Sequence, residues 1–354
     1  MSLFERYIAS TMLKATLMTL LVLVILLVFF TTMEELEDVG RGDFRAVDAF
    51  WVSLLATPRY VFEAFPVAAL LGSLVGLGSM GAHGELVAMR SAGFSLHQIL
   101  VSVMKTGLLM VGLVLVFGEV AAPLAEQHAE QHRAEKQQGQ VTLRTEYGFW
   151  ARDGQAFVNA RNIGAGGILR DIHVYEFGPD LQLRRHTHAE SAIHRGDQWE
   201  MAGIERVSVR MEGIEAQRLT SARWDSLLDP DLLKAVVVQP AMLGLGELYR
   251  SIQVMRDNGQ PATDYEVAFW GKIATPLSTL VMLFIAVPFV LAHQRFVSMG
   301  ERVFVGIALG MSFYTLSRGM SYVAVVYEFN PMFSALIPAF AFLVIGVLLM
   351  RRVA

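Results

Sequence analysis

Leu20-Leu21-Val22-Leu23-Val24-Ile25-Leu26-Leu27-Val28-Phe29-Phe30 is an unbroken apolar run, and its reading decides the rest of the chain. A hydrocarbon core about 30 Å thick takes roughly 20 mostly apolar helical residues, which the stretch 12–33 provides. The run is longer than the apolar segment of a typical secretion signal. Glu34, Glu35, Glu37 and Asp38 follow where a small-residue cleavage site would stand. It reads as a retained membrane anchor. Working outward, the same criterion predicts spans at 59–81, 98–122, 266–292, 303–326 and 332–350. The expectation is an α-helical membrane protein with three spans in 1–122, an inserted polar domain over 123–265, and three more spans in 266–354.

Composition and charge agree. Of the 354 residues, 54% are hydrophobic and 18% charged, with a mean hydropathy of +0.44; a soluble chain carries about a quarter charged residues. The net charge of −4 offers no basic face for nucleic acid. The absence of cysteine excludes disulfides, thiolate metal sites and thiol nucleophiles. Lys and Arg mark the cytoplasmic side of short flanks. Arg6, Lys14, Arg90, Arg295, Arg302, Arg351 and Arg352 fall on one side. The other holds Glu34, Glu35, Glu37, Asp38, Asp43 and Asp48 against Arg41 and Arg45. Both termini are therefore expected in the cytoplasm of a bacterial cell and 123–265 in the periplasm.

The insert has strand character. Phe149 to Val158 reads as a hairpin around Asp153-Gly154, Asp171 to Phe177 alternates, and Trp199 to Met211 continues the pattern. Short strands at this spacing predict an all-β sandwich, jellyroll or open barrel. A helix over 121–138 is expected to extend the third span, and Leu243 to Asp257 reads as a short amphipathic helix.

Most motif matches carry little. Gly76-Leu77-Gly78-Ser79-Met80-Gly81 fits a dinucleotide fingerprint but ends a membrane span instead of joining a strand to a helix. Small residues allowing close helix contact explain it better, as they do Gly72, Gly306 and Gly310. His128 and His132 have zincin spacing without the adjacent Glu, and read as a polar helix surface. His186, His188 and His194 read as solvated strand residues with no acidic partner at fixed spacing. No catalytic or metal site and no resident cofactor is expected on this chain. It has no Walker A sequence, so any ATP, with its Mg²⁺, is handled by a separate chain.

Among charges inside spans, Arg59, Glu63, Glu119, Glu266, Lys272 and Lys105 lie close enough to a surface to snorkel. Arg318 lies about 24 Å along a helix starting near Arg302, close to the outer-leaflet headgroups. It points to a phosphorylated lipid headgroup or to an interhelical pair with Glu328 or Glu119. The loop Gly84 to Phe94 reads as a short helix closed by glycine, with Leu86, Met89 and Arg90 on one side. Such a helix docks into a groove on a soluble partner or lies on lipid.

Glu5-Arg6-Tyr7-Ile8, Pro66 to Gly78, Gly84 to Phe94, Ser102 to Thr106, Gly118-Glu119 with Ala122-Pro123 and Glu126, and Phe269 to Ser278 together resemble the LptF/LptG (YjgP/YjgQ) family of lipopolysaccharide export permeases, the LptG branch more than LptF. The resemblance implies a periplasmic β-jellyroll and a heterodimer with an LptF-type permease. It further implies an LptB-type ATPase dimer, an LptC-type bitopic protein and an LptA-type periplasmic bridge. The helix at 84–94 would be the coupling helix, with Glu85, Leu86, Met89, Arg90 and Phe94 meeting the ATPase. The first and fifth spans, including Phe29, Phe30 and Arg318, would line the lipid cavity. Lysines of the family pattern at the end of span one are Thr31, Glu37 and Asp38 here. Of two expected arginines after span three, Arg133 is present and the other is Glu130. Phosphate contact then falls to Arg133 with Arg41, Arg45 or Arg318, or to divalent cations bridging acidic residues to the phosphates. The implied activity is extraction of lipopolysaccharide from the outer leaflet of the inner membrane. The alternatives are a permease for another lipid or lipoprotein, and a membrane enzyme modifying lipid A.

Overall fold

Six helices in the computed structural model are long and apolar enough to cross a membrane, and each coincides with an expected span. The structure describes residues 3–136, 149–153, 156–163, 168–178, 182–195, 198–210, 213–224, 240–257, 260–292 and 299–353. Gln137, Gln138, Gly154, Gln155, Met211 and Arg295, which entered the helix, hairpin, strand and charge readings, lie outside them.

The chain divides into two compact units. One comprises 1–37, 49–129 and 240–354, the other 38–48 and 130–239. In the first, α1 (Leu3–Glu35) starts well before the expected position 12, and Ile8 in its early turns is buried in the protein core. A short helix, α2 (Ala46–Leu55), stands between the first two spans. Then come α3 (Thr57–Ala82), α4 (Glu85–Ser91), α5 (Leu96–Val116) and α6 (Ala122–Lys136). After the β domain follow α7 (Leu245–Asp257), α8 (Thr263–Ala292), α9 (Met299–Val326) and α10 (Pro331–Val353). The predicted extension of span three and the amphipathic helix are thus α6 and α7.

Span two is the hub, and its glycines make it so. A Cβ at Gly72 would lie 2.3 Å from the Thr16 Cα, and one at Gly76 would lie 3.3 Å from the Ala15 Cβ, so α1 and α3 touch backbone to backbone. Gly306 and Gly310 on α9 similarly admit Leu71 and Val67 of α3, at 2.6 and 2.7 Å from the missing Cβ. Gly78 makes room for the Arg302 guanidinium, which donates to its carbonyl. Small residues set close contact where lipid offers no hydrophobic driving force between helices; no nucleotide loop is present.

The second unit contains one antiparallel sheet with its strands in sequence order: β1 (Phe149–Asp153), β2 (Ala156–Ile163), β3 (Leu169–Phe177), β4 (Leu183–Arg195), β5 (Gln198–Arg210) and β6 (Gly213–Trp224). The expected hairpin is confirmed by the pairing of Asp153 with Ala156. The described strands form a meander; the crossing connections of a jellyroll are not among them. One face buries Val158, Ile172, Val174, Ala189, Trp199 and Ile204. The inward set steps by three residues instead of two along one line, from Leu169 to Ile172, Ala189 to Ala192 and Met201 to Ile204. On that line Asp171 (φ 52°) and Gly203 (φ 64°) are left-handed. Register is kept on both sides, so the sheet is creased without slipping.

Candidate functional site

The first unit carries two candidate surfaces, one near each end of α3. Where α3 begins, α3, α8 and α9 enclose a cavity of about 390 Å³ lined by Arg59, Glu63, Lys272, Tyr314, Ser317 and Arg318 among others. Arg59 Nε lies 2.9 Å from Glu126 Oε1, and its Nη2 donates to the Tyr60 hydroxyl at 3.2 Å. Tyr60 in turn meets Thr31 Oγ1 at 2.7 Å. Thr31, at a position where the resemblance implies a lysine, is thereby tied to an arginine one helix away.

Lys272 is placed by a local defect in the third span. Phe117–Ala121 forms a π-turn in which the Ala122 N–H reaches back to the Phe117 carbonyl. The next residue, Pro123, has no N–H to offer the Gly118 carbonyl. Lys272 Nζ supplies the missing donor at 3.1 Å and lies 3.4 Å from Glu119. Glu119 also accepts the Leu245 N–H at the start of α7, at 2.8 Å.

Arg318 pairs with Glu63 at 3.0 Å and hydrogen-bonds Tyr314. The interhelical pair is real, but its partner is neither Glu328 nor Glu119. With 61% of its side chain exposed, Arg318 keeps a face open to the cavity. Snorkelling does not describe Arg59 or Lys272, both of which make protein contacts. Lys105 and Glu266 likewise find protein partners, Glu5 at 2.9 Å and Arg256 at 2.7 Å. The missed signal was depth: Arg59, Glu63, Glu119 and Lys272 were all placed at the same level, and groups at one level on neighbouring helices can pair.

At the other end, Gly84 (φ 75°) turns the chain into α4 and Gly93 (φ 91°) turns it out. The Phe94 N–H closes on the Met89 carbonyl at 3.0 Å, a Schellman-type end, and Ser95 with Gln98 makes a capping box that starts α5. Leu86 and Met89 are buried in the membrane core cluster and anchor α4. Val87, Ala88, Arg90 and Ser91 are exposed. Phe94 packs on Phe4 at 5.3 Å between ring centres. Tyr7 hydrogen-bonds the Glu85 carboxylate, and Glu85 Oε2 is buried with no hydrogen-bond partner among the described residues. Leu3, Phe4, Arg6, Tyr7, Glu85 and Met89 line an open groove of about 920 Å³ there.

Phe29 and Phe30 are both exposed on α1, edge to face at 5.7 Å. The remaining substrate candidates lie in the second unit. Arg133 is held by Glu130 at 2.7 Å, so the substituted position occupies the very arginine it should have joined. Arg41 pairs with Asp38 at 2.5 Å and Arg45 is exposed. His132 bonds Asp48 at 2.8 Å, which leaves the zincin-like spacing without a metal role.

The strand histidines depart from expectation. Asp171 and His173 on β3 and His186 and His188 on β4 gather on the sheet face away from the core; only His194 stands apart, against Trp199. The acidic partner came from the paired strand, which sequence spacing cannot show.

The model for the family "Lipopolysaccharide export system permease LptF/LptG" matches residues 6–352. The chain is 35% identical over 342 residues to the lipopolysaccharide export system permease protein LptG of Haemophilus influenzae, covering 96% of both chains. It is 34% identical over 351 residues to that of Escherichia coli K12, covering 98% of both. With six membrane helices, a β domain between the third and fourth, and a match running almost end to end, the chain belongs to the LptF/LptG family of lipopolysaccharide export permeases and is a transport subunit, not an enzyme.

Proposed function

We propose that this permease extracts lipopolysaccharide from the outer leaflet of the bacterial inner membrane and passes it to a periplasmic bridge leading to the outer membrane. The termini and α4 face the cytoplasm, and the β domain faces the periplasm. An LptB-type ATPase dimer, carrying its own ATP and Mg²⁺, docks on the exposed side of α4 and the groove beside Glu85. An LptF-type permease and an LptC-type bitopic protein complete the complex, and an LptA-type bridge receives the lipid. Arg318, Lys272 and Arg59 sit where phosphates of the headgroup enter; Arg133, Arg41 and Arg45 are further cations for them.

The observation that carries this reading is the separation of the two surfaces along one helix. The cationic cavity begins at the first turn of α3 and Glu85 follows its last, a helix of 26 residues or about 39 Å by helical rise. A lipid with several acyl chains resists extraction by about 0.8 kcal/mol per buried CH₂. A site must therefore offer matching apolar surface and then withdraw it. The uncovered apolar faces of α1 and α9 offer it, and closure of the ATPase on α4 would withdraw it. In vesicles holding the full complex, Glu85→Ala is expected to leave ATP hydrolysis measurable while lipid release to an acceptor falls at least tenfold. Release equal to that of the unaltered complex would refute the coupling role.

A further inference from the structure

On the β domain, three side chains from two paired strands converge on one point. His173 and His188 are directly opposite across β3 and β4, with rings 4.7 Å apart. Asp171, two residues before His173, points to the same face. Its Oδ1 lies 2.9 Å from His188 Nε2 and 3.2 Å from His173 Nε2, and one ligand atom from each of the three residues lies within 4.8 Å of the other two. Zinc bound at about 2.0–2.2 Å spaces tetrahedral ligand atoms roughly 3.3–3.5 Å apart, so little movement is needed to admit an ion.

Hydrogen bonding argues for a cation there. His173 Nε2 is buried and, among the described residues, has no hydrogen-bond partner despite its closeness to Asp171. Its other nitrogen, Nδ1, meets His186 Nε2 at 3.2 Å, and the two rings are nearly parallel. If Nδ1 carries the proton, it donates to His186 and turns the Nε2 lone pair toward the Asp171 oxygen. Two acceptors then face each other, an arrangement a metal ion satisfies. An outer histidine fixing the tautomer of a ligand histidine is the usual support for such a site.

The backbone points the same way. Asp171 is in left-handed conformation inside a strand, at φ 52°, a posture uncommon for a residue with a side chain. That posture, on the crease of the sheet, brings its carboxylate to the two histidines. Other charges nearby are compatible: Arg161 lies 3.5 Å from the second oxygen, Oδ2, and Glu205, opposite His188 on β5, is paired with Arg218 at 2.7 Å.

We infer that Asp171, His173 and His188 form a binding site for a divalent transition metal of the zinc type, with His186 as its outer support and a fourth position open to water or an incoming oxygen ligand. The test uses the full chain in detergent micelles, purified without a histidine tag, stripped by a chelator and titrated with Zn²⁺. One zinc ion per chain is expected. X-ray absorption of the unaltered protein should show nitrogen and oxygen neighbours at about 2.0–2.2 Å. Asp171→Asn, which tolerates the left-handed backbone, and His188→Gln should each abolish stoichiometric binding. His186→Phe, which keeps the ring stack, should weaken it about 10–100-fold. His132→Gln should change nothing. Failure of the unaltered chain to bind zinc, or undiminished binding by Asp171→Asn and His188→Gln, would overturn the site. Neither result tests the lipid-export reading, whose own test is Glu85→Ala.

Discussion

Spans two and one are both membrane helices, and the more apolar of them is the less buried. In α3, 72% of the membrane window is buried inside the protein; in α1 and α9 the figure is 17%. The difference is made by residue size more than by hydrophobicity. Glycines at 72, 76 and 78 let α1 and Arg302 approach the α3 backbone. Leucine, isoleucine and phenylalanine on α1, from Leu17 through Ile25 to Phe30, instead face outward. In lipid, an apolar side chain gains nothing by turning inward unless it also packs. The oily faces of α1 and α9 are thus surplus to folding, which leaves them available for a second permease and for acyl chains.

The contrast can be broken hardest at Gly72. A side chain there would meet the Thr16 backbone, which cannot swing away. Gly72→Leu should therefore destabilise by about 3 kcal/mol or more, seen as loss of folded, monodisperse protein in detergent; ordinary yield and melting would show that α1 is not held as described. The next effect separates the two cavity arginines. Arg59→Ala removes a partner from Glu126, only 7% exposed, and should cost about 1–3 kcal/mol. Arg318→Ala breaks an exposed pair and should cost under about 1 kcal/mol while reducing lipopolysaccharide crosslinking to the cavity. Thermal unfolding of the two variants side by side decides it, and equal losses would sink the distinction between the two arginines. Smallest of all, Ile25→Ser and Tyr322→Ser, on the uncovered faces, should shift stability of the isolated chain by no more than about 0.5 kcal/mol. The same changes should weaken copurification of the second permease. A large drop in stability of the isolated chain would mean that these faces are packed after all.

Much of this architecture was legible beforehand. Long apolar runs gave all six spans, the first apart from its early start, and glycine spacing marked the close helix contacts. The strand run and its hairpin were likewise readable, because alternation and an Asp-Gly turn are local signals. Lys272 was not readable, since its role depends on a carbonyl freed by Pro123 on another helix. Nor was the division of the helix at 84–94, where Leu86 and Met89 turn into the core and Arg90 turns away. Asp171 was quoted in a strand, yet its left-handed turn and its meeting with His173 and His188 arise only from pairing across the sheet.

By itself the sequence determined what the membrane and the backbone dictate one segment at a time: how many helices cross, that a strand-rich insert separates the third from the fourth, and which family pattern the chain carries. Tertiary structure decided which charges are neutralised and which remain available. Glu130 holding Arg133, Glu63 pairing with Arg318 and Asp171 joining two histidines are outcomes of distance between groups. The reason is physical. Hydrophobic periodicity is encoded locally in a helix or strand, whereas an ion pair or a ligand set exists only once separate elements are a few ångströms apart.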